Sequence, residues 1–170
     1  TTQSTSGIAS GGFQNTFGGD FDAFLVKFNA TTGARLWATY YGGTNIDMLW
    51  WGGCGVASDV SGNVYLTGTT QSTSGIASGG FQNTYGGGIR DAFLVKFNSA
   101  GARLWATYYG GTSYEGGYSV STDASGSVYM AGETTSTVGI ASGGFQNTYG
   151  GGPDDAYLVK FNAGGTRLWG

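Results

Sequence analysis

The groups able to do chemistry in this 170-residue chain are few: ten carboxylates, seven Lys and Arg, one cysteine and no histidine. Without histidine, a serine nucleophile lacks its usual base. Cys54 alone can neither close a disulfide within the chain nor build a Cys/His metal site. Asp154 and Asp155 are a formal carboxylate pair, but neighbours in an extended chain point to opposite sides. "DVSGN" at 59–63 places oxygen side chains at its first, third and fifth positions, as a calcium loop does. Its glycine falls in the wrong place, however, and the twelfth position is Thr70 rather than Glu. The second copy, "DASGS" at 123–127, reaches Thr134 in the same way. Both read as hairpin turns. "YGGG" at 85–88 and 149–152 lacks the Lys-Ser/Thr that completes a phosphate loop. "NAT" at 29–31 formally matches a glycosylation acceptor but falls in a hairpin. The expectation is a chain that is not an enzyme, with no catalytic residue, no metal ligand and no cofactor.

Most of the remaining polar groups come in copies. Lys27, Lys96 and Lys160 are equivalent, as are Arg35, Arg103 and Arg167. So are Asp22, Asp91 and Asp155, and the pair Asp59 and Asp123. A binding reading would make each set a ring of sites. The structural reading, in which each Asp caps a turn with Lys or Arg nearby, fits better because every copy sits at a strand end beside turn residues. Trp37, Trp105 and Trp169 recur likewise and read as core.

One stretch breaks the pattern. "GGTNIDMLWWGGCGVASD" at 42–59 matches "GGTSYEGGYSVSTD" at 110–123 with four extra residues. The extras bring Met48, Leu49, Trp50, Trp51 and Cys54 into one loop. Exposed apolar and aromatic loops mark interaction surfaces, so these five residues form a candidate interaction loop. The alternative is a loop that folds back and fills a gap.

What must position these residues is a repeat. "GIASGGFQNT" is spelled three times, at 7–16, 75–84 and 139–148. "DAFLVKFN" follows at 22–29 and 91–98, and "DAYLVKFN" at 155–162, so the starts lie 69 and 64 residues apart. "ARLWATYYGG" comes next at 34–43 and 102–111, and "TRLWG" closes the chain at 166–170. A period of this size is the mark of a repeat architecture. In the middle unit the patterning predicts four strands, at 55–59, 63–69, 92–98 and 103–109, rich in Val, Tyr, Phe, Leu, Trp and Thr and separated by turn residues. No segment has a helical apolar period. Within 92–98, Phe93, Val95 and Phe97 share one face, and Ala92, Leu94 and Lys96 the other. Both faces are mostly apolar, so the sheet must be covered on both sides.

The fold class expected is therefore all-β: four-stranded antiparallel sheets of β-propeller type, repeated every 64–69 residues, with about two and a half blades in the chain. A parallel β-helix has much shorter coils than this period. The expected organisation is a partial first blade at 1–43, a complete middle blade with its preceding loop at 44–111, and a third blade at 112–170, truncated in its last strand. The decapeptide falls in the long link between second and third strands, where its Ile, Ala and Phe are expected to tuck under the blade.

"DAFLVKFN", "LWATYYGG" and "SGNVYLTG" together resemble the bacterial β-propeller repeats called SBBP repeats, over essentially the whole chain. The resemblance implies propeller blades in secreted or cell-surface proteins, and no common catalytic activity. "GIASGGFQNTYGGG" stands where many members carry a Pro-containing segment, so no loop function carries over.

Composition narrows the partners. A net charge of −3 with no basic run argues against nucleic acid. No apolar stretch approaches a membrane span. With 35 glycines but 15% aromatics and only 10% charged residues, the chain can build a packed core. It has no initiator Met and no signal-like start, which predicts a mature or excised piece of something longer. The expected function is a non-catalytic structural segment of an extracellular or cell-surface protein. Its partners are copies of itself or further blades of a longer chain, assembled into a propeller array or filament. The alternative is a glycan-binding, lectin-like propeller.

Overall fold

The computed structural model describes residues 1–48 and 53–170. Ten strands form among them, with no helix: β1 (Ala23–Phe28), β2 (Arg35–Tyr41), β3 (Gly55–Ser58), β4 (Val64–Thr70), β5 (Asp91–Phe97), β6 (Arg103–Tyr109), β7 (Glu115–Thr122), β8 (Val128–Thr134), β9 (Asp155–Phe161) and β10 (Arg167–Trp169). They make three antiparallel sheets in chain order: β1-β2, the meander β3-β4-β5-β6, and the meander β7-β8-β9-β10. The four strands read from the middle unit's sequence are thus found in one sheet, each to within one residue at either end.

The turn chemistry explains the meander. The Asp59 carboxylate accepts the backbone N–H groups of Ser61 and Asn63, and Gly62 supplies the left-handed φ of +77° that closes the turn. Asp123 does the same with Ser125 and Ser127. In the next hairpin, Asn98 Oδ1 accepts from Ala100 and Ala102, and Asn162 Oδ1 accepts from Gly164 and Thr166.

The sheets stack through their faces. Every residue of β5 is buried. Its Phe93, Val95 and Phe97 face packs with Ala23 and Tyr41 of the first unit and with Met48 of the loop that follows it. Its Ala92 and Leu94 face pack with Val128, Met130, Tyr157, Val159 and Phe161 of the third. Covering on both sides, expected from the two-faced apolar pattern, is what the middle sheet has. Burying each of these large side chains contributes about 1.5–3 kcal/mol.

The decapeptide does more than tuck under its own sheet. Ser78 exchanges backbone hydrogen bonds with Ala106, and Tyr108 N–H donates to the Gln82 carbonyl. The link therefore runs along β6 and covers an edge that would otherwise invite pairing with another chain. The first unit repeats this with Ser10 on Ala38 and Gln14 on Tyr40. Gly80 lies so close to the Ala106 carbonyl that a Cβ there would stand 2.6 Å from the oxygen. Ile76 is fully buried, but Phe81 stays 41% exposed. Its ring touches Tyr109 of its own unit at 6.4 Å between centres and also takes a cation from the next unit.

Candidate functional site

The repeat-locked residues meet at the boundaries between units. Across the first boundary, the Trp37 indole N–H donates to the Ser99 carbonyl at 3.0 Å, and the Lys27 ammonium reaches the same oxygen at 3.0 Å. Across the second, Trp105 and Lys96 both donate to the Ala163 carbonyl, at 3.0 and 3.2 Å. The Trp37 ring lies on the turn glycine Gly101, and Trp105 on Gly165; a Cβ on either glycine would meet the indole at 2.8 Å. Tyr41 and Tyr109 donate their buried hydroxyls to the Ile76 and Ile140 carbonyls of the following unit, each at 2.5 Å. The Arg103 guanidinium lies 4.3 Å from the Phe13 ring centre, and that of Arg167 lies 4.4 Å from Phe81. Each Arg also donates to its own unit's isoleucine carbonyl, Ile76 or Ile140. These contacts are cation–π pairs and hydrogen bonds. They hold one unit to the next.

The repeated acids divide into two kinds. Asp59 and Asp123 cap hairpins and stand 3.9 Å from Lys96 and 3.8 Å from Lys160. Their carboxyls are held below the usual range, Asp59 by hydrogen bonds from Asn63 and Tyr65 that outweigh burial, and Asp123 by the Ser125 hydroxyl first. Asp22, Asp91 and Asp155 also cap a turn, through the N–H groups of Gly18, Gly86 and Gly150. They do not pair with Lys or Arg among the described residues. Two of them instead face a second acid. A Cβ on Gly42 would lie 2.3 Å from Asp22 Oδ1 and 2.7 Å from Asp47 Oδ2. Asp91 feels the charge of Glu115 in the same way, and burial pushes its carboxyl up to about 7. Burial likewise lifts Asp47 to about 6 and raises Asp22. Asp22 Oδ1 and Asp91 Oδ1 are buried without a hydrogen-bond partner among the described residues.

Asp47 and Glu115 were missed in the sequence. Asp47 accepts from Gly43 N–H and from the Thr70 and Ser72 hydroxyls; Glu115 accepts from Gly111 N–H and Thr134. Their shared place, four residues after "YGG", was the available signal. The change from Asp to Glu and the neighbouring insertion hid it.

The candidate interaction loop is only partly in view. Leu49, Trp50 and Trp51 lie outside the described residues. Met48 is buried, with φ at +66°, in the cluster with Tyr41 and Phe93, so it fills a gap and is no exposed contact. Cys54 is exposed with a free thiol. Gly53 lies against Tyr118 of β7.

An open apolar and aromatic surface is present on the third unit. A groove of about 460 Å³ runs along the third unit, lined by Phe145, Gln146, Tyr149, Asp155, Leu158 and Trp169. In the second unit the counterparts are Phe81, Gln82, Tyr85, Asp91, Leu94 and Trp105. There the space is filled by Thr107 and Tyr108 of the same unit and by the face of the third sheet. Leu94 is fully buried and Leu158 is 51% exposed; Phe145 is fully exposed. Among the described residues no group of three or more acids and Cys could hold a metal.

No protein-family model and no curated protein matches this sequence. The resemblance to SBBP repeats rests on the quoted residues alone.

Proposed function

We propose that the chain is a non-catalytic structural segment of a secreted or cell-surface repeat protein, made of propeller-type blades that build a larger array or filament. The observation that carries this reading is the unit-to-unit relay. Trp37 is spent on the second unit and Trp105 on the third, each buried to within 5%. A lectin keeps such aromatics open in every unit. Here two of the three are consumed by protein, and their polar neighbours are tied to backbone. The four-stranded meanders, stacked face to face and repeated, support the propeller reading of the fold. Placement outside the cell is supported by the SBBP resemblance.

The second reading, a glycan-binding module, is favoured by one feature. The groove at Trp169 combines an accessible indole with Gln146, Tyr149 and Asp155. A glycan array probed with the 170-residue chain and with Trp169→Ala separates the two. The structural reading expects no sugar signal from either protein. Binding lost on Trp169→Ala replaces it with the glycan reading.

A further inference from the structure

We infer that a second copy of this chain docks head-to-tail on the open face of the third unit, reproducing there the interface found twice within the chain. This inference rests on the structural reading above and names the surfaces that assemble.

The two ends of the stack present opposite halves of one contact. At the head, the first sheet leaves Phe24 41% and Phe28 59% exposed, whereas their counterparts Phe93 and Phe97 are fully buried against the preceding unit. At the tail, Leu158 and Phe145 stand open, whereas Leu94 is fully buried by the following unit. The internal boundaries supply the pairing rules. Trp37 packs on Phe97 with ring centres 6.3 Å apart, and Phe13 on Phe97 at 6.5 Å; Trp105 packs on Phe161 at 6.4 Å. By the same rules Trp169 and Phe145 receive Phe28 of the second copy. Arg35 already holds the pose of its counterparts, donating to Ile8 as Arg103 does to Ile76. Its guanidinium then lies over Phe145, a ring that carries no cation among the described residues.

Gly33 completes the match. Its φ is +67°, like the turn glycines Gly101 and Gly165, but no atom lies within 4 Å of where its Cβ would be. The internal copies of this site each carry an indole. One difference is built in: the hairpin "NATTGAR" is one residue longer than "NSAGAR". Docking on the third unit uses Phe145, Leu158 and Trp169. A contact of this type is heterologous, because the two patches differ, and it propagates into a ring or a fibre.

Complementary variants test it. Phe145→Glu blocks the tail, and Phe28→Glu blocks the head. Both side chains are largely exposed, so far-UV circular dichroism and thermal unfolding should match the parent. Sedimentation velocity should find oligomers for the parent and monomers for each variant alone. Mixing the two variants should give a species of twice the monomer mass, because one intact head meets one intact tail. A monomeric parent overturns the proposal, and so does a parent oligomer unaffected by both changes. A monomeric parent that binds no sugar sinks the interface and leaves the structural reading standing. A monomeric parent that binds sugar through Trp169 sinks both.

Discussion

Trp105 donates its indole N–H to the Ala163 carbonyl across the boundary between the second and third sheets, while its ring covers Gly165. One side chain thus contributes a hydrogen bond, an aromatic contact with Phe161 and cover for a turn glycine. Trp37 does the same one unit earlier with Ser99, Phe97 and Gly101.

Truncating that ring should be expensive. Trp105→Ala leaves a cavity between two sheets and is expected to cost on the order of 3–5 kcal/mol. Trp37→Ala should behave alike. Chemical denaturation read by far-UV circular dichroism gives the number. Full stability in either variant would remove the relay as the basis of the stack.

The buried acids set a pH dependence with a definite sign. The carboxyl of Asp91 is raised to about 7 in the folded chain, first by burial and then by the charge of Glu115. Unfolded, it titrates near 4. The folded state therefore holds the proton more tightly. The stability from this group is fully present below about pH 4 and is lost as pH rises to about 7. Asp47, raised to about 6, and Asp22 act in the same direction. Asp59 and Asp123, held low, act in the opposite sense, and their contribution fades only below about pH 4. Melting temperature should thus peak near pH 4–5 and decline toward pH 8. Asp91→Asn keeps an acceptor for Gly86 N–H and should flatten that decline. A profile that rises steadily to pH 8 would contradict the assignment.

The Asp59 hairpin offers a milder test. Its carboxylate accepts from Ser61, Asn63 and Tyr65 and stands beside Lys96. Asp59→Ala should cost about 1–2 kcal/mol, the range for losing a cap of this kind. Asp59→Asn should recover part of it. Thermal unfolding of the two variants side by side measures the difference, and equal losses would mean that the charge, rather than the turn hydrogen bonds, is what counts.

Much of this arrangement was legible in the sequence because the repeat states each rule more than once. Period-2 apolar patterning in "AFLVKFN" placed Phe93 and Leu94 on opposite buried faces. "DVSGN" and "NSAGAR" announced the hairpins. The role of Phe81 was not legible: a phenylalanine in a Gly-rich link reads as cover for its own sheet, and only the stacking brings Arg167 over it. Asp91 was read as a cap near a base. Its actual neighbour, Glu115, lies on the adjoining sheet, and one sequence pattern carries no distance between sheets. For Met48 the insertion supports both an exposed contact and a gap-filler, because it has no counterpart in the other unit; the space beside Gly68 and Phe93 takes it in.

The turn glycines separate backbone strain from packing. Gly165 and Gly33 both have φ in the left-handed region, +86° and +67°. Alanine at either site pays the left-handed penalty of roughly 1–2 kcal/mol. At Gly165 it also drives a Cβ to 2.8 Å from the Trp105 ring, and overpacking of this sort adds about 1–3 kcal/mol. In a Phe145→Glu background, where no second copy can reach Gly33, Gly165→Ala should therefore be clearly more destabilising than Gly33→Ala. Urea midpoints of the two variants, compared at equal slope, give the packing contribution directly. Equal losses would mean that the indole yields without cost, and the turn glycines would then be chosen for backbone conformation alone.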